Sequence, residues 1–414
     1  MELLLIVAIA VAVYMAWNIG ANDVANAMAD AVGSKSITIF WALLLAAICN
    51  FAGAVLVGGH VTDTIRSGII ETQTFADDPM ILAYGMLCAL LAASLWLNLA
   101  SFLGMPVSTT HSIVGAVIGF ALLRAGFWHV HWDKLGQIVA SWFISPLVGG
   151  VLSFTIFRVI SRKVLSVEHP ARAARKGVPI CVFVTFVILI LSVIYKGLKN
   201  LHLNLSFVQA LVISIFGGLA AAGFAAYMSD RKKYHAAVLP FEQQLAIVEK
   251  RFAILVIITS CSVAFAQGAN DVANAIGPLA AVAEIARNHT VPGKVPVDLR
   301  LLVLGGAGIA VGLSTFGYRV MRVVGEKVTE ITPSRGVAAD LAGMTTVLVC
   351  SRLGLPISTT HTLVGAIIGV GLARGITAID RRVIRSIFIS WLATVPIAAG
   401  LTVVIYLLGD WLVF

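Results

Sequence analysis

The string Gly-Ala-Asn-Asp-Val-Ala-Asn-Ala occupies residues 20–27 and returns letter for letter at 268–275, an offset of 248. Two further pairs keep nearly the same spacing. GMPVSTTHSIVGAVIG from Gly104 matches GLPISTTHTLVGAIIG from Gly354 at an offset of 250, and Ser141-Trp142 matches Ser390-Trp391 at 249. One near-constant offset over three separate stretches means a duplicated unit, covering residues 1–160 and 250–414. Residues 161–249 then form an insert between the copies.

The solvent of this duplicated fold follows from composition. Hydrophobic residues make up 59% of the chain and charged residues only 12%, the profile of an all-α polytopic membrane protein. A bilayer core of about 30 Å needs about 20 helical residues to cross it. Apolar runs of that order begin near Leu3, Ile37, Met80, Ile138, Pro179, Phe207, Phe252, Leu301, Gly336 and Ile387. That makes ten segments, and two shorter runs, Ile113–Leu123 and Leu363–Ala373, each follow a polar tip. The N-terminus carries Glu2 and no basic region, so its apolar run reads as a first membrane helix and not a cleaved signal. The five cysteines, Cys49, Cys88, Cys181, Cys261 and Cys350, all sit in apolar segments without metal-ligand spacing, and read as packing residues. The net charge of +9 belongs to short loops, where membrane topology explains it better than nucleic acid does.

Whether the copies run parallel or inverted depends on the parity of crossings between equivalent points. Counting Met80–Leu123 as two spans or as one re-entrant hairpin changes the crossings by two, so each copy makes an odd number. The insert adds two, and inversion follows. The loops agree, because cytoplasmic loops favour Lys and Arg. The loop after Val57 holds Arg66 against Asp63, Glu71, Asp77 and Asp78, whereas its equivalent after Gly317 holds Arg319, Arg322, Lys327 and Arg335. The loop at 374–385 carries Arg374, Arg381, Arg382 and Arg385, against only Arg124 and Lys134 in its partner at 121–137. The basic loops flanking the insert, Arg158–Lys176 and Arg231–Arg251, fall on the same side, and both termini on the other. Only the loop at 276–298, with Arg287 and Lys294 offset by Glu284 and Asp298, argues weakly against this. Inverted repeats with polar motifs inside membrane segments mark secondary transporters, whose substrate sits where the repeats meet.

The polar motifs then say what such a site could hold. On a helix, Asn22, Asp23 and Asn26 share roughly one face, as do Asn270, Asp271 and Asn274. A carboxylate inside a membrane is a functional hypothesis by default. Its oxygens and the amide carbonyls suit hard cations, while the amide N–H groups suit an anion. Asn or Ser inside a membrane is more often helix glue or a cap, but eight identical residues in both copies argue against that reading here. The second motif, Ser108-Thr109-Thr110-His111 and Ser358-Thr359-Thr360-His361, follows a Gly-x-Pro break and starts a renewed helix. Ser and Thr there are natural N-caps, and a helix start offers N–H groups and a positive dipole end to an oxyanion. His111 and His361 read equally as packing residues, hydroxyl partners or proton carriers, and His129, His131 and His169 carry no metal-ligand spacing.

No Lys or Arg occurs in the four motifs. A dianion beside Asp23 and Asp271 would leave uncompensated charge in a low-dielectric site unless cations enter with it, so cation-coupled symport with Na⁺ or H⁺ is the expectation. With GANDVANA twice, PVSTTH and PISTTH, the chain resembles the inorganic phosphate transporter (PiT) family over both repeats. The resemblance implies a phosphate symporter of two inverted-topology repeats with helices and re-entrant hairpins, about twelve membrane elements in all, assembling as a homodimer in the cell (inner) membrane with no cofactor. It also implies phosphate ligands at Ser108, Thr109, Thr110, Ser358, Thr359, Thr360, Asn26 and Asn274, and Na⁺ sites around Asp23, Asp271, Asn26 and Asn274. Asn22 and Asn270 would support them. Gln267, which stands where the first copy has Ile19, would add a ligand and make the site pseudo-symmetric. A sulfate symporter is the nearest alternative. An anion channel or an intramembrane aspartyl protease fits the motifs poorly. Asp23 lies about 30 Å of helix beyond Leu3, so a central site calls for a tilted first helix or a break at Gly20.

Overall fold

The computed structural model describes residues 2–60, 69–197, 205–231, 239–291, 297–322, 331–352, 357–375 and 380–413. Among them the regular structure is almost wholly helical, and the first copy contains α1 (Glu2–Gly33), α2 (Ile39–Val57), α3 (Pro79–Phe102), α4 (Thr109–Arg124) and α5 (Trp132–Ile160). The insert supplies α6 (Pro170–Gly197) and α7 (Phe207–Arg231), which pack on each other. The second copy contains α8 (Phe241–Asn288), α9 (Leu299–Phe316), the five-residue α10 (Tyr318–Arg322), α11 (Pro333–Arg352), α12 (Thr359–Arg374) and α13 (Arg381–Val413).

Among the described residues, nine helices are long and apolar enough to cross a membrane, and the protein is a multi-pass membrane protein. The apolar run expected near Gly336 is a helix, α11, which carries Arg335 and Asp340 and is not one of these nine. At 16 residues each, α4 and α12 extend about 24 Å, short of a full crossing. Both form the second arm of a hairpin, packed on α3 and α11 respectively. Several helices outrun their apolar stretches. Pro170 and the basic turn after it open α6 nine residues before Pro179, and α8 starts at Phe241, eleven residues before Phe252. Hydropathy registers only what lipid touches, while backbone hydrogen bonding continues past it.

The hairpin turn of the first copy has a local cause. Gly104 takes a left-handed φ of 70°, a conformation open to glycine at little cost. The Gly104 and Met105 N–H groups then donate back to the Ser101 and Ala100 carbonyls, closing the end of α3. Pro106 cannot continue a helix, and Ser108 caps the next one by accepting from the His111 N–H at 3.2 Å. Ser358 repeats this cap with His361 at 3.2 Å. Gly354 and Pro356 lie outside the described residues.

The two copies pack on each other reciprocally. Helix α1 lies against α9 and α8 against α2, while α4 lies against α13 and α12 against α5. Close approaches repeat in the same register: Gly20 of α1 sits on the Ile309 carbonyl, and Gly268 of α8 on the Asn50 carbonyl. Gly115 and Gly365 meet the Val395 and Pro146 carbonyls in the same way. Helix α1 therefore runs unbroken through Gly20. The missing side chain there serves the approach of α9, and of the two alternatives, a tilt or a break at Gly20, the break does not occur. At one end of the molecule an antiparallel bridge between Ile70 and Val130 ties the loop before α3 to the loop before α5. His129, beside that bridge, pairs with Glu71 at 3.0 Å on the exposed surface.

Candidate functional site

Where α1 and α8 pack together, the two Asp-Asn stripes meet the starts of α4 and α12. Asp23 is buried and collects three donors: Thr109 Oγ1 to Oδ2 at 3.0 Å, and Thr360 Oγ1 and Asn26 Nδ2 to Oδ1 at 3.3 and 3.2 Å. Asp271, equally buried, accepts from Thr359 Oγ1 at 3.3 Å and Asn270 Nδ2 at 3.0 Å. Thr109 and Thr359, at equivalent positions, thus each bind the carboxylate of their own copy. The amides cross over. Asn26 Nδ2 donates to Thr360 Oγ1 at 2.9 Å, and Asn274 Nδ2 donates to Thr109 and Thr110 Oγ1 at 3.2 and 3.4 Å.

These contacts join all four motifs into one buried cluster. Ser108 and Ser358 sit at its edge, with their hydroxyls engaged in capping. Asn26 Oδ1 is buried and receives no hydrogen bond among the described residues. Asn22 stands apart from the cluster. Its amide nitrogen donates to Ser101 Oγ and the Met105 carbonyl, both at 3.0 Å, while its oxygen accepts from the Val107 N–H at 3.1 Å. Its whole amide therefore clamps the α3–α4 turn to α1. Asn270, its counterpart, is half-buried and turns to Asp271. Gln267 is buried one helical turn before Asp271, and both its amide atoms lack a hydrogen-bond partner among the described residues.

The histidines pack against tryptophans and against each other. His361 stacks on Trp391 with centroids 3.6 Å apart, His111 lies 3.7 Å from Trp142, and the two imidazoles meet edge to face at 4.3 Å. Of the readings open for them, packing matches these contacts. The starts of α4 and α12 are thereby pinned together beside the cluster.

Two carboxylates escaped the reading of the sequence. Asp30, two turns beyond Asp23 on α1, and Asp340 of α11 are both buried and contact each other. The signal was present, since each is an acid inside a membrane segment, but neither belongs to a repeated motif.

Chemically, the cluster offers carboxylate, amide and hydroxyl oxygens to a cation. It offers hydroxyls, amide N–H groups and two helix starts to an oxyanion. None of its named side chains is cationic.

The profile of a family described as "Phosphate transporter family" matches residues 19–402. A Pyrococcus abyssi protein named "putative phosphate permease" is 46% identical over 392 residues, covering 95% of this chain and 94% of that one. The Arabidopsis thaliana protein named "Inorganic phosphate transporter 2-1, chloroplastic" is 42% identical over 408 residues, covering 94% of this chain and 70% of its own length. A solved structure titled "The sodium-dependent phosphate transporter" superposes with a TM-score of 0.90 at 40% identity, over 100% of both chains.

Proposed function

This chain belongs to the phosphate transporter family and is a phosphate transporter, not an enzyme; from that premise we propose that it imports inorganic phosphate by symport with Na⁺, through alternating access around the Asp23–Asp271 cluster. One observation carries this reading. All four motifs converge on one buried site, and each carboxylate there is bonded to a threonine at the start of a hairpin helix.

Phosphate would take the Thr109, Thr110, Thr359 and Thr360 hydroxyls, the Asn26 and Asn274 amides, and backbone N–H groups of the turns capped by Ser108 and Ser358. Na⁺ would take Asp23 and Asp271 with Asn26, Asn274, Asn270 and Gln267. Asn26 Oδ1 and the Gln267 amide support this assignment, because buried polar atoms without partners are expensive and a cation supplies the missing interaction. Asn22 would act through the hairpin turn and not as a ligand. Two cations would neutralise the two carboxylates, so the entering anion would meet no net negative charge and its own charge would fall to the hydroxyls, amide N–H groups and helix starts.

Inverted repeats at 1–160 and 250–414, joined by the two-helix insert at 161–249, are part of the same proposal. They draw support from the reciprocal helix packing and from the course of α1 and α8. Asp23 and Asp271 share a cluster. From there, seven residues onward along α1 and eleven back along α8 lead to a second shared contact, through Asp340. Equivalent helices of the two copies therefore run antiparallel at their crossing. Extracytoplasmic termini, the cell (inner) membrane and a homodimer complete the reading on the strength of loop charge and family resemblance.

The test is uptake of labelled phosphate into proteoliposomes under separately imposed Na⁺ and proton gradients, with sulfate as competing anion. Uptake driven by Na⁺ and insensitive to sulfate is expected. Uptake indifferent to Na⁺, or undiminished coupled uptake in both Asp23→Asn and Asp271→Asn, overturns the proposal.

A further inference from the structure

Helix α5 packs on α12 and helix α13 on α4, which leaves a groove between α5 and α13 with α12 as its floor. Its volume is about 520 Å³, and apart from His111 and His361 its lining is apolar or aromatic. Leu147 on one wall and Leu392 on the other are 67% and 69% exposed, so the groove opens toward the surface that a bilayer surrounds. Helices α5 and α12 run parallel along it, because Gly365 lies on the Pro146 carbonyl and Gly369 on the Gly150 carbonyl. Its deep end is therefore at Trp142 and His361, which meet through the Trp142 carbonyl, and its mouth at Phe154 and Leu372.

The groove has the length of one leaflet. Twelve residues of α5 separate Trp142 from Phe154, about 18 Å of helix, against about 15 Å for half of the hydrocarbon core. A partner helix crossing the whole bilayer would overrun the deep end, where Trp142 and Trp391 close on the histidines. An acyl chain from one leaflet stops there. The mouth carries charge. Arg158 continues the α5 stripe of Leu147, Val151 and Phe154, with its guanidinium 5.5 Å from the centre of the Phe154 ring, and Arg374 ends α12 two residues after Leu372. Both arginines are exposed, on the side that loop charge assigns to the cytoplasm. The acid nearest Arg374 in sequence, Asp380, accepts from the Arg382 N–H at 2.8 Å at the start of α13.

We propose that this groove holds one acyl chain of an anionic phospholipid from that leaflet, with the headgroup phosphate on Arg158 and Arg374. The chain ends against the stack of Trp142, His111, His361 and Trp391, which pins the starts of α4 and α12 beside the phosphate cluster. An occupied groove buttresses that stack from the lipid side, so transport should depend on the headgroup charge of the surrounding bilayer. The proposal rests on the transport reading only for this consequence.

Phosphatidylglycerol and phosphatidylcholine, each carrying a diazirine at the end of one acyl chain and each in nanodiscs with the full chain, test the site by itself. After photolysis, peptide mass spectrometry should find the phosphatidylglycerol label at the deep end of the groove, around Trp142, Phe143 and Trp391. Phosphatidylcholine should label these peptides less, by about fivefold for each arginine engaged, and the double variant Arg158→Gln, Arg374→Gln, altered only at the exposed mouth, should erase the difference. Leu147→Trp, which fills the groove, should remove the label. Phosphate uptake should be faster in phosphatidylglycerol liposomes than in phosphatidylcholine liposomes for the wild type, and indifferent to the lipid in the double variant. Equal labelling of the groove by the two lipids overturns the proposal, and so does label that Leu147→Trp leaves in place. A disulfide-linked dimer formed by Leu147→Cys and not by the wild type overturns it too, because a second copy would then occupy the groove. Headgroup-selective labelling without any phosphate uptake would count against the transport reading alone.

Discussion

Gly268 of α8 lies so close to the Asn50 carbonyl of α2 that a Cβ would overlap the oxygen, and the equivalent Gly20 of α1 meets the Ile309 carbonyl of α9 in the same way. Each copy thus presses the helix that carries its Asp-Asn stripe against the second helix of the other copy. Helices approach this closely in membranes through small residues, because lipid supplies no hydrophobic drive for association.

Gly268→Ala should therefore separate α8 from α2 and tilt the Asp271 stripe away from the hairpin starts. Overpacking of this kind costs about 1–3 kcal/mol, and more where the obstacle is backbone. The expected outcome is a lower thermal unfolding temperature in detergent together with reduced phosphate uptake. Gly400→Ala on α13 is the control, because among the described residues no atom beyond its own helical turn lies within 4 Å of a Cβ built there, and it should leave both measurements unchanged.

Thr109 and Thr359 should be functionally matched. Thr109→Val and Thr359→Val preserve shape and remove a hydroxyl that donates to Asp23 or Asp271. A hydrogen bond to a charged group contributes about 1.5–3 kcal/mol, so each variant should lose roughly tenfold or more in transport rate at limiting phosphate and Na⁺. A defect confined to one of the pair would show that the two half-sites do different work.

Some of this was legible in the letters and some was not, for physical reasons. Duplication placed Asp23 and Asp271 in one context, and the capping roles of Ser108 and Ser358 follow from residue chemistry at a helix start. The crossing of amides, Asn26 to Thr360 and Asn274 to Thr110, was not legible, because it depends on how two copies interlock and the repeat alone does not say so. Sharing a motif with Asp23 gave Asn22 a supporting place at the cation sites, and the letters did not say that its amide is aimed at the α3–α4 turn. Asp30 and Asp340 went unnoticed because a search guided by symmetry passes over features present once.

Asn22 and Asn270 should consequently differ although they occupy the same motif position. Asn22→Ala deletes three hydrogen bonds that hold the residues before Ser108, leaving the buried Val107 N–H and the half-buried Met105 carbonyl without this partner. At about 1–3 kcal/mol for the buried N–H so stranded, it should lower stability and phosphate affinity together. Asn270→Ala loses a single contact to Asp271 and should act mainly on Na⁺ dependence. Thermal unfolding and uptake measured on both variants check the contrast, and equal effects on stability would contradict it.

Gln267 provides the sharpest test of where cations bind. Its amide is buried one turn before Asp271 with neither polar atom satisfied. If the amide serves only packing, Gln267→Leu replaces a costly polar group by an apolar one of similar size and should stabilise the protein while transport stays normal. If it is a cation ligand, as proposed, the same variant should raise the Na⁺ concentration for half-maximal uptake several-fold and leave the maximal rate at saturating Na⁺ nearly intact. The two expectations diverge in one Na⁺ titration of phosphate uptake, supported by a thermal unfolding curve with and without Na⁺. An unchanged Na⁺ titration together with a higher unfolding temperature would remove Gln267 from the site and leave Asp271, Asn270 and Asn274 to hold the ion on that side.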